Sequence, residues 1–216
     1  MKVVLFGATG MIGQGVLREC LLDPEVTSVL AVGRASTGRR HEKLREIRHG
    51  DFTDFTAIAD EFAGRDACFF CLGVSSVGMS EAEYRRVTYD FTVAAARTFA
   101  EQSPGAVFVY VSGQGTDSAG RSMWARVKGE TENALLGLPL RAFLLRPGYI
   151  QPTHGARSKT TLYRLAYAVI GPFFPVLSRV FPRQVTTTDR LGRAMISIAR
   201  NGSPKRVLET ADINAL

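Results

Sequence analysis

The chain has 216 residues, of which 45% are hydrophobic and 22% are charged, and its formal net charge is +7. This balance is typical of one globular domain with a full hydrophobic core, and it excludes disordered and fibrous proteins. Three cysteines in a chain of this length do not form a disulfide framework, so we expect a reducing, cytoplasmic compartment. The first residues, MKVVLFGATG, turn into glycines after one short apolar run, which is not the pattern of a signal peptide.

The positive charge is concentrated in the last third of the chain. Residues 1–150 hold 17 basic and 17 acidic residues, whereas residues 151–206 hold ten basic residues and one acid, Asp189. Basic regions of this kind bind nucleic acid or a membrane surface in some proteins and surround an anionic small ligand in others. We favour the small ligand and expect no nucleic-acid partner, because no nucleic-acid-binding motif accompanies the charge.

Strand and helix patterns alternate along the chain. Short apolar runs typical of buried parallel strands occupy residues 2–6, 26–33, 44–51, 66–73, 106–112, 140–146 and 206–209. Segments with helical spacing lie between them, at residues 11–22, 53–62, 80–102, 122–136 and 186–200. Repeated β-α units predict a doubly wound α/β fold, with a mainly parallel sheet of about seven strands and helices on both faces. We expect a single domain over residues 1–216, because no linker interrupts the pattern.

The first strand ends in a glycine-rich loop that opens the first helix. The loop reads Gly7, Ala8, Thr9, Gly10, Met11, Ile12 and Gly13, in the strand–turn–helix context that dinucleotide binding requires. Glycines permit a tight turn and let the backbone approach a pyrophosphate, while the helix N-terminus offers free N–H groups. We therefore predict that these seven residues bind a dinucleotide, with Gly13 allowing the helix to pack close to the sheet.

The end of the second strand indicates which dinucleotide is bound. NAD-binding proteins usually carry an acid there, which accepts from the ribose 2′-hydroxyl, whereas this chain has Gly33 and Arg34. An arginine suits a 2′-phosphate, with help expected from Ser36, Arg39 or Arg40. The sequence therefore predicts a preference for NADP(H) over NAD(H).

Two further strand ends are expected at the same cofactor, because parallel strands end at one edge of the sheet. Asp51 and Phe52 follow the third strand, where they would flank the adenine. Leu72 and Gly73 end the fourth strand and would pass close to the cofactor.

The cysteines and histidines give no sign of a metal or redox centre. Cys68 and Cys71 form a C-x-x-C inside an apolar strand, where residues i and i+3 point to opposite faces of the sheet. We therefore prefer core packing to a redox pair. His41, His49 and His154 lack metal-ligand spacing, so we predict no metal site.

Residues 151–185, between the sixth strand and the late helix, are strongly apolar and aromatic. They fit a transmembrane span poorly, because Arg164 and Arg179 lie within the run and Pro172 and Pro175 interrupt it. We expect a cap over a ligand cleft or a contact between copies in a homo-oligomer. A peripheral membrane contact is the alternative.

Several of these motifs together resemble the atypical short-chain dehydrogenase/reductase superfamily. They are GATGMIG at 7–13, VGR at 32–34, CLG at 71–73, VSGQG at 111–115, a helix carrying Lys128, and LRPGYI at 145–150. Within it, the chain is most similar to the HIV Tat-interacting oxidoreductase-like or NAD-dependent epimerase-like branch. The resemblance implies an NADP(H)-binding Rossmann fold and an oxidoreductase-like or epimerase-like activity on a small molecule of unknown identity.

The resemblance also implies roles for single residues. Ser112 matches the serine that positions a substrate carbonyl, and Lys128 matches the lysine that holds the nicotinamide ribose and tunes a catalytic tyrosine. Pro147 and Gly148 match a turn near the carboxamide. Trp124 occupies the place of that tyrosine, and an indole N–H does not titrate. Cofactor binding is therefore implied, whereas the usual proton transfer is not.

Three functions stay open on this evidence. The first is an NADP(H)-dependent reductase of a small carbonyl or imine compound, with Tyr149 as an alternative source of the proton. The second is a catalytically silent NADP(H)-binding redox sensor or regulatory interaction protein. Ser112 and Lys128 are compatible with both, while Trp124 favours the second over an efficient enzyme. A basic interaction protein that retains only the fold is a third, less favoured alternative.

Overall fold

The computed structural model describes residues 1–157 and 171–216. Within these residues a main sheet of seven strands accompanies a small sheet of two. In chain order the strands are β1 (Lys2–Phe6), β2 (Ser28–Gly33), β3 (Leu44–Arg48), β4 (Ala67–Phe70), β5 (Val107–Val111), β6 (Arg141–Arg146), β7 (Tyr149–Gln151), β8 (Val185–Thr187) and β9 (Val207–Glu209).

Helices cover both faces of the main sheet. The α-helices of the described part are α1 (Met11–Leu22), α2 (Glu81–Arg85), α3 (Phe91–Gln102), α4 (Met123–Leu136), α5 (Phe174–Val180), α6 (Thr188–Asn201) and α7 (Thr210–Asn214). Thr56–Phe62 and Gly171–Phe173 form 3-10 helices, and Arg86–Asp90 forms a π-helical turn. Helices α1, α6 and α7 contribute to the core on one face, whereas α3 and α4 contribute to the core on the other.

The main sheet has the strand order β3-β2-β1-β4-β5-β6-β9, and all neighbouring strands are parallel. The predicted doubly wound parallel sheet of about seven strands is therefore confirmed. The chain runs outward from β1 to β3 and then returns to β4 on the other side of β1. This reversal leaves a crevice beyond the carboxyl ends of β1 and β4, which is where open α/β sheets bind ligands.

The central strands are buried on both faces, which explains their continuous apolar runs. In β1, Val3 and Leu5 belong to the core under α1 and α6, while Val4 and Phe6 belong to the core under α3. Phe6 packs edge-on against Phe55, with ring centroids 5.5 Å apart. Rigid packing on both faces holds the loops at the carboxyl ends of these strands in place.

The same alternation separates the cysteines of the C-x-x-C. Cys68 lies in the core under α3, whereas Cys71 packs against the core on the opposite face, where its thiol lies 4.0 Å from the Met195 sulfur. Burial raises the pKa of both thiols. All three cysteines are free, so the predicted packing role is confirmed.

Two predicted helices differ from those observed. The helix predicted at 53–62 is wrong in type and length, because Thr56–Phe62 is a 3-10 helix. Its start is set by Asp54 Oδ1, which accepts from the Thr56 N–H at 2.8 Å and from the Thr56 hydroxyl at 2.6 Å. The helix predicted at 80–102 begins at its Ser80 N-cap, but the π-helical turn Arg86–Asp90 separates α2 from α3.

Part of the predicted cap, residues 158–170, lies outside the described residues. After it, the chain forms α5 and β8, and the side chains of Phe173, Val176 and Val180 are exposed. In the two described ranges no helix is long and apolar enough to cross a bilayer. The single-domain boundary and the cap or oligomer role of residues 151–185 stay predictions.

Candidate functional site

The loop between β1 and α1 depends on two glycines for its close packing. Gly7 has a φ of +77°, and a side chain on it would lie 2.6 Å from the backbone of Cys71 and Leu72. A side chain on Gly13 would lie 2.0 Å from the Gly7 carbonyl oxygen. Only glycine at both positions lets the loop press against the end of β4 while α1 packs on the loop.

Gly10 has a different setting, at the N-cap of α1. Its φ of −80° is available to any residue, and a side chain there would approach only the Gly7 oxygen, at 3.3 Å. The first turn of α1, which begins with Met11 and Ile12, contains no acid. Its N–H groups and the helix dipole therefore present a positive potential that suits a phosphate.

A cleft of about 290 Å³ opens beside this loop, at the carboxyl ends of the first three strands. Its lining residues are Gly7, Ala8, Thr9, Ala31, Val32, Gly33, Arg34, Ala35, Ser36, Thr37, Glu46, Ile47, Arg48, Phe52 and Leu72. The structure thus brings Arg34, Phe52 and Leu72 together with the glycine loop, although they are far apart in the chain. Arg48, which the sequence pattern did not indicate, adds a second arginine to the lining.

A second cavity of about 390 Å³ adjoins the glycine loop. Its lining residues are Ala8, Thr9, Gln14, Ala35, Ser36, Thr37 and Arg39. Of the basic residues predicted to assist Arg34, Arg39 therefore reaches this space, whereas Arg40 lines neither cavity.

Glu46 is an acid in the cleft that the sequence pattern did not indicate. It lies in β3 opposite Ala31, and its carboxylate accepts from the Ser36 hydroxyl at 2.5 Å and the Thr37 N–H at 2.7 Å. Partial burial raises the pKa of Glu46, but the hydrogen bonds from Ser36 and Thr37 outweigh it, so the pKa lies below its usual value. Glu46 thereby fixes the loop that follows Arg34.

Asp51 and Gly73, both predicted to lie at the cofactor, line neither cavity. The same is true of the predicted cofactor residues Gly10, Met11, Ile12, Gly13, Lys128, Pro147 and Gly148. Asp51 is exposed, and its Oδ1 accepts from the Thr53 N–H at 2.9 Å and the Thr53 hydroxyl at 2.6 Å. Gly73 is exposed in the loop after β4. Phe52, by contrast, is buried, and its ring packs edge-on against Phe6 below the cleft.

A second group of predicted residues meets after β5. Lys128 Nζ donates to the Ser112 carbonyl oxygen at 2.7 Å. The Thr116 hydroxyl donates to the Gly113 oxygen at 2.8 Å, and its oxygen lies 2.9 Å from Ser112 Oγ. Because the Thr116 proton is used on Gly113, the Ser112 hydroxyl is the donor of that pair.

Burial lowers the pKa of Lys128 from its usual 10.5 to about 8, and Glu132, one turn further along α4, opposes part of this shift. Glu132 is buried and binds Arg146 in a two-pronged ion pair, with its shorter contact at 2.5 Å from Nη2. Arg146 ends β6 directly before Pro147. The ion pair therefore ties the helix that carries Lys128 to the strand that leads into Pro147.

Trp124 lies on α4 one turn before Lys128, so both side chains project from the same face of the helix. Its ring atom Cη2 lies 3.4 Å from the position that a side chain on Gly115 would take. Lys128 Nζ lies 3.8 Å from the corresponding position on Gly113. Both side chains thus cover the loop that follows β5.

Pro147 and Gly148 connect β6 to the small sheet. The Pro147 oxygen accepts from the Gln114 N–H at 2.9 Å, which joins the loops after β5 and β6. A side chain on Gly148 would lie 2.6 Å from Gln114 Oε1. The next residue, Tyr149, is partly buried, which raises its pKa, and its hydroxyl lies 2.7 Å from Gln151 Oε1.

This arrangement has two chemically distinct parts. The glycine loop and its cleft offer N–H groups, arginines and an apolar floor, which suit a phosphorylated nucleoside. The second part, at the ends of β5 and β6, offers the amine of Lys128 from α4 and the hydroxyl of Ser112 for hydrogen bonding. Within residues 1–157 and 171–216, no group of three His, Cys, Asp or Glu side chains is placed to hold a metal ion.

Residues 7–165 match the sequence profile of a family described as NAD(P)H-binding. The chain is 27% identical over 149 residues to Protein FMP52-2, mitochondrial, of Scheffersomyces stipitis, a match that covers 68% of this chain and 65% of that protein. It is 27% identical over 152 residues to Protein HTATIP2 of Rattus norvegicus, covering 69% of this chain and 62% of that protein. The matches therefore span slightly less than two thirds of these two relatives. The fungal relative is named mitochondrial, and a cytoplasmic location for this chain stays a prediction.

Two solved structures show the same fold. A short chain dehydrogenase family protein of Francisella tularensis aligns with a TM-score of 0.69 and 16% identity over 96% of this chain and 95% of that chain. The enzyme WbmF of Bordetella bronchiseptica, in complex with NAD+, aligns with a TM-score of 0.68 and 17% identity over 99% of this chain and 76% of that chain. The family profile covers well over half of the sequence and includes the glycine loop, the helix carrying Lys128 and the Pro147 turn. The chain therefore belongs to the NAD(P)H-binding family and has the Rossmann fold of the atypical short-chain dehydrogenases/reductases.

Proposed function

We propose that the protein binds NADP(H) in preference to NAD(H) and acts as an oxidoreductase on a small carbonyl or imine compound. The observation that carries this proposal is the composition of the cleft, in which Arg34 and Arg48 stand at the ends of β2 and β3. The end of β2 has no acid for a 2′-hydroxyl, and Glu46 already accepts from Ser36 and Thr37. A 2′-phosphate would meet arginines in this cleft, which favours NADP(H).

The remaining cofactor contacts are proposed from the glycine-loop geometry and from the superfamily resemblance. The N–H groups at the start of α1, from Gly10 to Gly13, would hold the pyrophosphate, and Phe52 and Leu72 would border the adenine. Lys128 would hold the nicotinamide ribose, and the turn at Pro147 and Gly148 would lie near the carboxamide. Asp51 would flank the adenine and Gly73 would pass close to the cofactor, as their positions after β3 and β4 predict.

When bound, the cofactor supplies a hydride to the substrate. The residues of this chain would hold the acceptor carbonyl and deliver a proton to its oxygen. Ser112 would hold the carbonyl by turning its hydroxyl from Thr116 to the substrate oxygen. Trp124 stands where the superfamily resemblance implies a tyrosine, and its indole N–H cannot act as an acid. If the protein reduces a carbonyl efficiently, another group must supply the proton, and Tyr149 is a candidate. Without such a group, reduction would be very slow.

A second candidate function is NADP(H) binding without turnover, in a redox sensor or regulatory interaction protein. The observation that favours it is the position of the Trp124 ring, which packs close to Gly115 and projects from the same helix face as Lys128. A large apolar wall beside the ribose-holding lysine stabilises a bound nicotinamide and leaves less room for a substrate.

The test is NADPH oxidation over a panel of aldehydes, ketones and quinones by the native protein, Trp124→Tyr and Trp124→Phe. The tyrosine variant restores a phenol one turn before Lys128, so turnover should rise by up to about 10²-fold. Brisk native turnover that is unchanged in Trp124→Phe would assign the proton to another group, with Tyr149→Phe as the next variant. If none of the three proteins oxidises NADPH while all bind it, the binding-only function is supported.

A further inference from the structure

The segment that follows the small-sheet strand β7 returns to the glycine loop through a tight turn. Thr153, His154, Gly155 and Ala156 form this turn, in which the Ala156 N–H donates to the Thr153 oxygen at 3.0 Å. Both central residues have positive φ, 50° at His154 and 79° at Gly155. Positive φ is costly for a histidine, so the surrounding structure must hold the turn in this conformation.

The start of the turn is anchored on α6. Thr153 donates from its N–H to the Thr188 hydroxyl at 3.1 Å, and from its hydroxyl to Asp189 Oδ1 at 2.8 Å. Asp189 is in turn paired with Arg193 at 2.8 Å. Thr188 itself packs against α1, because a side chain on Gly15 would lie 2.5 Å from Thr188 Cβ. The turn is therefore fixed relative to α1.

The end of the turn is anchored on α1 itself. The Gln14 side chain amide donates to the Arg157 oxygen at 3.3 Å, and the Arg157 N–H donates to Gln14 Oε1 at the same distance. Gln14 Nε2 also donates to the Thr9 oxygen of the glycine loop, at 3.1 Å. One glutamine thus joins the Arg157 backbone to the loop that is proposed to hold the pyrophosphate.

The Arg157 backbone lies beside the glycine loop, and its positively charged side chain has no carboxylate partner among the described residues. Arg157 is exposed, and within residues 1–157 and 171–216 its guanidinium forms no ion pair. The first turn of α1 carries no charged side chain, and Arg39 lines the second cavity together with Gln14. Arg157 would add a further positive charge on this side of the loop. A pyrophosphate carries two negative charges, and a guanidinium binds phosphate oxygens in two-pronged geometry.

We propose that Arg157 is a pyrophosphate-binding residue of the cofactor site, with Gln14 as the positioning residue that holds its backbone against the glycine loop. This inference rests on the proposed dinucleotide site and adds to it a contact from outside the glycine loop. It also gives a role to one of the basic residues that are concentrated in the last third of the chain.

The test is calorimetric titration of Arg157→Ala with NADPH and with NADH, because both cofactors share the pyrophosphate. Both should bind about 10- to 100-fold more weakly than to the native protein, and by the same factor. Arg157→Lys keeps the charge but loses the two-pronged geometry, so it should show an intermediate loss. Arg183→Ala, which removes an exposed arginine of the same basic third, is the matched control and should bind like the native protein.

Gln14→Ala provides an independent test, because it keeps the Arg157 side chain but removes the hydrogen bonds that hold the Arg157 backbone against α1. It should weaken both cofactors while leaving the melting temperature of the free protein close to native. Unchanged binding in Arg157→Ala, with tight NADPH binding by the native protein, overturns this inference and leaves the proposed function standing. A loss confined to NADPH also overturns it, because Arg157 would then contact the 2′-phosphate. If the native protein binds neither cofactor, the proposed function fails first.

Discussion

Arg34 is the residue on which the proposed cofactor preference depends most directly. It lines the cleft at the end of β2, and a charge-assisted contact to a 2′-phosphate contributes about 1.5–3 kcal/mol. Arg34→Ala should therefore weaken NADPH binding by roughly 10–100-fold and NADH binding little, as measured by calorimetry. Arg40→Ala is the matched control, because Arg40 lines neither cavity. A similar loss for NADH and NADPH in Arg34→Ala would contradict the 2′-phosphate role.

Gly10 and Gly13 should respond to substitution in different ways, although they belong to one motif. A side chain on Gly10 would meet only the Gly7 oxygen, at 3.3 Å, so Gly10→Val should keep the fold, whereas its branched side chain should block NADPH binding. A side chain on Gly13 would collide with the Gly7 oxygen, so Gly13→Ala should cost about 1–3 kcal/mol of stability. Circular dichroism, urea unfolding and calorimetry on both variants provide the check. Native-like NADPH binding by Gly10→Val would mean that the loop is not the phosphate site.

Lys128 should give the site a dependence on pH. Its pKa of about 8 lies below the usual 10.5, because burial disfavours the ammonium form. As the pH rises through about 8 the native protein loses this charge, so NADPH affinity should fall between about pH 7 and pH 9. Over roughly pH 8 to 10.5 the unfolded chain still binds the proton that the native protein has released, so native stability should rise relative to Lys128→Met. A pH-independent affinity in the native protein, or one that falls equally in Lys128→Met, would contradict the assignment.

At the scale of the elements, the strands were the most predictable part of the chain. Strands β1, β2, β5 and β6 lie within one or two residues of their predicted bounds, because burial on both faces requires continuous apolar runs. The 3-10 helix Thr56–Phe62 was less predictable, because local hydrogen bonds from Asp54 compete with helical periodicity. Strands β7 and β8 were not predicted; each has three residues, and they pair only with each other, outside the main sheet.

The junction between α4 and β6 depends on one buried ion pair. Glu132 is 3% exposed, and its partner Arg146 is 24% exposed. Glu132→Gln would leave the Arg146 charge with only the longer and more exposed contact to Glu209, 3.6 Å from Nη1, and should lower the free energy of unfolding by about 2–3 kcal/mol. Glu130→Gln is the matched control on the same helix. It breaks the more exposed pair with Arg85 and should cost less than about 1 kcal/mol. Urea unfolding of both variants tests the comparison, and equal losses would contradict it.

At the scale of the whole molecule, the sequence predicts which strand ends meet but not how their side chains are used. The parallel order brings Arg34, Phe52 and Leu72 to one cleft, as the motif spacing implies. Glu46 could not be assigned in advance, because its contact with Ser36 depends on the register between β2 and β3. A role for Arg157 could not be predicted either, because the turn that brings it back to α1 has no recognisable sequence motif.

The central claim is that this Rossmann fold binds NADP(H) and discriminates against NAD(H) through arginines at the ends of β2 and β3. Its most direct test is calorimetric titration of the native protein with NADPH and with NADH in the same buffer near pH 7. NADPH should bind at least about tenfold more tightly than NADH, which is the factor that one charge-assisted phosphate contact supplies. Equal affinities, or tighter binding of NADH, would contradict it.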